Sequence, residues 1–142
     1  MTQREITELS RDECLARLHE KKVGRLLYAD ELGPVAIPVN YAVTEDEIIF
    51  RIEGGHKRTA IAQSMLGFEV DHIDGDDRSG WSVLARGAGR EIEMEQVAEI
   101  LHHISGPPPA PWAVGIHNVW FGISLQFLSG RRLGAPRDTS ID

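Results

Sequence analysis

Apolar and polar positions change period several times along the 142 residues, and each change marks an element. Ser10-Arg11-Asp12-Glu13 has the form of a capping box: the serine oxygen can accept from the third helical amide while the glutamate reaches back to the serine amide. A helix to about Lys21 follows. Val23 to Tyr28 reads as a strand closed by the turn residues Asp30 and Gly33, and Pro34 to Val43 as a second strand. The charged turn Thr44-Glu45-Asp46-Glu47 leads into Ile48 to Ile52, completing a three-strand meander. Lys57 to Ser64 is a short helix candidate, and Gly67 to Asp71 alternates apolar and acidic residues like a half-exposed strand. After the loop Asp74 to Ser79, Gly80 to Ile92 reads as one long strand. Val97, Ile100, Leu101 and Ile104 then make a single helical stripe stopped by Gly106, and Val119 to Phe127 reads as a final long strand.

About six strands joined by hairpins, with two or three short helices, predict a mainly β, α+β chain built as an antiparallel closed or split barrel. A doubly wound sheet is excluded by the order of elements. Proline cannot donate to a ladder, so Pro34 and Pro38 mark a strand start and an edge or bulge. Backbone groups there are open to a ligand. Residues 1–133 form one domain in this reading, and 134–142 are a polar, disordered tail.

Composition narrows the classes. With 42% hydrophobic and 26% charged residues the chain is an ordinary globular one, small enough that a deep ligand site calls for a second subunit. A net charge of −7 opposes nonspecific binding to nucleic acid. No apolar run reaches membrane-spanning length, and the N-terminus lacks a signal peptide's order, so a cytoplasmic location is expected. The single cysteine, Cys14, falls on the apolar side of the first helix with Leu15 and Leu18 and reads as a buried structural thiol.

The residues that carry chemistry are few. Lys57 follows Gly54-Gly55 near a helix start, where an ammonium, flexible backbone and free amides can converge on one phosphate. On the residues alone, solvated Lys57 and Arg58 are the commoner outcome. No phosphate-binding loop of the nucleotide-hydrolysing type is present. Arg51 reads simply as half of a surface ion pair, whereas Asn40 is out of place in a strand unless its amide is hydrogen-bonded. Trp81 and Ser82 point to opposite faces by alternation, so one of the two can face a ligand. The histidines make no H-E-x-x-H pair, the acidic loop Asp71 to Asp77 misses calcium-loop spacing, and Glu99 with His102 is a solvated pair on a helix. No metal is expected. Gly87-Ala88-Gly89-Arg90 lies within a strand and is not a dinucleotide turn. No nucleophile is paired with a base, so no catalytic side chain is named.

Six short motifs stand in one order: Val23-Gly24-Arg25-Leu26, Pro38-Val39-Asn40-Tyr41, Gly55-His56-Lys57, Phe68-Glu69-Val70-Asp71, Gly80-Trp81-Ser82-Val83 and Ser129-Gly130-Arg131-Arg132. Together they resemble the FMN-binding split-barrel family related to pyridoxamine 5'-phosphate oxidase. The resemblance implies a six-stranded antiparallel split β-barrel and a homodimer holding FMN in clefts at its interface. It implies a phosphate held by Lys57 and Arg51, with Phe50 beside it, and a ring edge met by Pro38, Val39, Asn40 and Tyr41. It sets Trp81, Ser82 and Val83 against the isoalloxazine and brings Trp112, after the proline run, toward the partner's flavin. The implied activity is hydride or electron transfer to a small organic substrate. The chain end lacks the arginine and histidine of the family's vitamin B6 substrate motif, so vitamin B6 oxidation is not implied. Related split barrels also bind deazaflavin F420 or haem, and a non-catalytic binding or sensing dimer, or a cofactor-free structural dimer, are the alternatives.

Overall fold

Ser10 does cap a helix. In the computed structural model its Oγ accepts from the Glu13 amide at 3.2 Å, while Glu13 Oε1 accepts from the Ser10 amide at 3.1 Å, starting α1 (Arg11–Glu20). The structure describes residues 5–53, 60–62, 64–104, 106–109 and 118–134. Gly54, Gly55, Lys57, Arg58, Trp112, most of the expected 57–64 helix and the tail from 135 lie outside the described residues.

The strands are β1 (Ile6–Glu8), β2 (Val23–Asp30), β3 (Gly33–Val43), β4 (Glu47–Glu53), β5 (Met65–Asp74), β6 (Ser79–Ile92), β7 (Asn118–Ser124) and β8 (Phe127–Leu133), with α2 (Met94–Leu101) after β6. Their order is β1-β8-β6-β5-β2-β3-β4-β7, and β7 pairs back to β6. That return closes a six-stranded antiparallel split barrel, the expected fold, while β8 and β1 continue outward from β6. Strand β6 is the hub because its length lets it serve three partners. One edge pairs β5 over Ser79–Ala88, and the other pairs β8 over Gly80–Arg86 and then β7 over Gly89–Ile92.

One expectation needs correction. Val119 to Phe127 is not one strand: Ser124 Oγ accepts from the Gln126 amide at 3.0 Å, and Leu125 donates its amide to the Asp46 carbonyl at 2.9 Å. A serine that satisfies local backbone turns the chain. Because Leu125 is buried at the turn, the apolar run shows no break there. The short strand β1 has no alternating pattern and forms by pairing Ile6–Glu8 with Arg131–Leu133.

Phe50, Phe68 and Phe121 fill the barrel, Phe50 stacking on Phe121 with ring centroids 6.0 Å apart. The helix α1 closes one end through buried Cys14 and Leu18, its approach permitted by Gly130, whose added Cβ would stand 2.7 Å from Cys14 Sγ. Burial pushes the Cys14 thiol up, in keeping with a structural role. On the outer face Val97 of α2 packs with Ile49, Ile92 and Trp120 in a second, smaller cluster. Gly106 takes φ +91, the left-handed conformation expected after that helix. No helix of the described residues is long and apolar enough to cross a membrane.

Candidate functional site

The split in the barrel lies between β3 and β4. These strands pair only through Val43↔Ile48, Ala42↔Ile49 and Tyr41↔Phe50. One step further Asn40 and Arg51, on the same face, stand at the mouth of a fork. From there β3 stays with β2, down to Asp30↔Gly33, and β4 stays with β7, where Arg51 faces Trp120. Tyr41 donates its amide to the Lys22 carbonyl at 3.0 Å, so by alternation the even-numbered positions of β3 direct their nitrogens away from β2. Pro34 and Pro38 are both even. They occupy the edge where a missing donor leaves no ladder bond unmade, as the sequence leads one to expect.

Arg51 supplies the fork's chemistry. Its guanidinium lies over the Trp120 ring, 4.8 Å from the centroid, and its Nε is buried with no hydrogen-bond partner among the described residues. A charged donor left unsatisfied is costly, and an anionic acceptor at the fork would relieve that cost. The donor set therefore fits a phosphate. Trp120, which the sequence did not single out, holds this arginine through the β4–β7 register.

Several expected residues offer only backbone to a ligand. Phe50 and Val83 are fully buried, and Val39 and Tyr41 nearly so, all inside the barrel. The Tyr41 hydroxyl donates to the Leu18 carbonyl at 2.5 Å, and burial raises its pKa above the usual phenol value, so it is neutral. Asn40 is half-buried and hydrogen-bonded or otherwise engaged, as a strand amide requires. It opens onto a concavity of about 460 Å³ shared with Lys21, Lys22, Tyr41, Pro107 and Pro108.

Trp81 and Ser82 lie elsewhere. Trp81 turns into the core beneath the Arg17 guanidinium, 5.7 Å from the ring centroid, while Ser82 turns outward. Both border a second cleft of about 520 Å³, with Ile6, Ile73, Arg131 and Leu133. Asn40 and Ser82 point from the same outer face, but the register runs Asn40 to Val23 on β2 and Asp71 on β5 to Ser82. Three strand spacings, roughly 14 Å, separate them. The two cavities share no lining residue, so within one chain Asn40 and the Trp81–Ser82 pair open onto separate cavities.

A third group was missed by sequence reasoning, although Glu69 and Asp71 share one face by alternation. Arg25 NH1 reaches Glu69 Oε1 at 2.8 Å and Asp71 Oδ2 at 2.7 Å. One cation between two carboxylates leaves excess negative charge. Burial first, then the neighbouring Asp71, raise the Glu69 pKa to about 7 despite the Arg25 contact. Among the described residues no group of three histidine, cysteine or acidic side chains is placed to hold a metal.

Comparison with known proteins agrees with this architecture. An uncharacterized protein of Mycobacterium tuberculosis, Rv0080, is 29% identical over 146 residues, covering 96% of this chain and 91% of that protein. The structure of an FAD-binding protein from Mycobacterium smegmatis superposes with a TM-score of 0.71 at 27% identity, covering 89% of this chain and 98% of that one. An FAD-binding protein from Mesorhizobium loti has the same fold, with a TM-score of 0.73 at 22% identity over 93% of this chain and 99% of its own. The family model described as pyridoxamine 5'-phosphate oxidase matches residues 10–132, from the α1 cap to the end of the last strand, and the chain belongs to that family.

Proposed function

We propose that this chain is a flavin-binding oxidoreductase working as a homodimer, with one flavin in each β3–β4 fork. The observation that carries the reading is the buried Arg51 Nε, without a hydrogen-bond partner among the described residues, one position beyond the last β3–β4 pair. Arg51 and Lys57 take the phosphate, and Asn40 with the Pro38–Tyr41 backbone meets the ring edge. Bound flavin supplies hydride or electron transfer, and the chain's own residues bind the phosphate, orient the ring and keep water from it.

The dimer follows from separation. Asn40 borders one cavity and Trp81 with Ser82 another, and the two share no residue, so in this reading a ring touching Asn40 meets Trp81 and Ser82 of a second copy. Trp112 approaches the same flavin in this arrangement. FMN uses every contact named. The M. smegmatis protein similar to this chain is called FAD-binding, and the concavity bordered by Asn40, Lys21 and Lys22 has room beside the fork for the longer cofactor.

The test is reconstitution with FMN, FAD and riboflavin, followed by absorbance and by sedimentation. Yellow protein at twice the chain mass that binds FMN or FAD at least tenfold tighter than riboflavin supports the reading. A Soret band instead of flavin bands, or a monomer that binds flavin with full affinity, overturns it.

A further inference from the structure

We propose that the cleft at the start of β6 binds an amphipathic monoanion, its apolar body on Ile6, Ile73 and Leu133 and its head group on Arg131 with Ser82. The ligand class is a carboxylate or sulfonate carrying an aromatic or alkyl body. As a substrate subsite this rests on the flavin reading, which sets Trp81 and Ser82 beside the ring; as a binding site it stands on the cleft alone.

The walls argue for an apolar body. Ile6 and Ile73 are 70% and 67% exposed, among the most exposed large apolar side chains of the described residues, and both border this one cavity. Leu133 and Trp81 complete the apolar lining. Isolated exposed apolar residues are ordinary, but two converging on a concavity of about 520 Å³ with a tryptophan beside them are the usual makeup of a small-molecule site.

The rim argues for an anion. Arg131 is exposed and makes no ion pair among the described residues, although Glu8 is its cross-strand neighbour on β1. Ser82 is its neighbour on β6, so a guanidinium and a hydroxyl stand side by side at the cleft. Arg78, at φ 52, adds a second cation from the β5–β6 turn. Asp74 is the one acid in the lining, and its carboxylate already accepts from the Asp76 and Asp77 amides at 3.0 and 3.1 Å. Those bonds, that from Asp77 foremost, hold it below the usual carboxylate range, so it is ionised and its acceptor is used within the turn. Arg131 is thus the cation that the cleft offers an anionic head group, with Glu8 across from it on β1 and Asp71 across from Ser82 on β5. Glycine is required at the cleft's edge: Gly80 has φ +155, and a Cβ there would collide with the His72 carbonyl oxygen.

The experiment titrates the full-length protein with 8-anilinonaphthalene-1-sulfonate and with its uncharged relative N-phenyl-1-naphthylamine, reading probe fluorescence, and competes each with octanoate. Arg131→Ala should weaken the sulfonate about tenfold or more, the effect of one charge-assisted contact, and leave the uncharged probe within twofold. Ile73→Asp, also at an exposed position, should weaken both. Equal sulfonate affinity in wild type and Arg131→Ala overturns the proposal, as does failure of octanoate to compete. Flavin uptake measured on the same samples separates the two readings. Flavin uptake with no Arg131 dependence of the sulfonate removes the cleft alone, whereas Arg131-dependent sulfonate binding without flavin uptake removes the oxidoreductase and keeps the cleft.

Discussion

Replacing Arg51 by alanine should empty the fork of its cation while leaving the barrel standing. Two effects on stability oppose each other. Loss of the contact with Trp120, 4.8 Å from guanidinium to ring, costs about 0.5–2 kcal/mol. Removal of a buried Nε that has no partner returns about 1–3 kcal/mol. The two ranges overlap, so the net change in unfolding free energy is centred within about 1 kcal/mol of zero. Phosphate binding has no such compensation: a lost charge-assisted contact costs about 1.5–3 kcal/mol, or roughly a 10- to 150-fold rise in the FMN dissociation constant. Arg51→Lys keeps the charge and loses the planar fork, so it should fall between the two. The assay is flavin fluorescence quenching with FMN and riboflavin, beside urea unfolding of each variant. The expected result is a large loss for FMN, almost none for riboflavin and a nearly unchanged unfolding midpoint. If both flavins weaken equally, Arg51 is not a phosphate ligand. A midpoint that collapses would show that the arginine holds Trp120 and α2 in place instead.

Further outcomes follow from the sheet. Glu69 has a folded-state pKa of about 7 against 4.5 for the free side chain, so its stabilising contribution is complete below about pH 4.5 and is lost as pH rises through 7. With the side chain one quarter exposed, solvent screening reduces the effect to roughly 1–2 kcal/mol. The difference in urea midpoint between pH 5 and pH 8 should shrink in Glu69→Gln, and an unchanged difference would count against the raised Glu69 pKa. Gly130→Ala places a Cβ 2.7 Å from Cys14 Sγ and 3.1 Å from the Ser82 carbonyl oxygen. It should destabilise by about 1–3 kcal/mol, and Cys14→Ala should recover part of that if α1 docking is the cause.

The sequence alone specified those features whose physics is local. The Ser10–Glu13 box needs only neighbours three residues apart, and it starts α1 where the pattern puts it. Period-two alternation needs only the strand itself, and it placed Phe68 and Val70 inside with Glu69 and Asp71 outside. Proline's missing donor marked the open edge of β3 without knowledge of the partner. The resemblance in motif order supplied the barrel and its family. What waited for the tertiary structure depends on registers between distant segments. The apolar run from Val119 hides the turn at Leu125, because the core and the Asp46 carbonyl, not a local breaker, hold that turn. The fork exists because β4 pairs along its whole length with β7 but for only three residues with β3. That same register lays Arg51 on Trp120, and the position of β6 between β5 and β8 puts Ser82 beside Arg131 and away from Asn40. Local patterns assign a side chain to a face, whereas only closure of the barrel decides which faces meet.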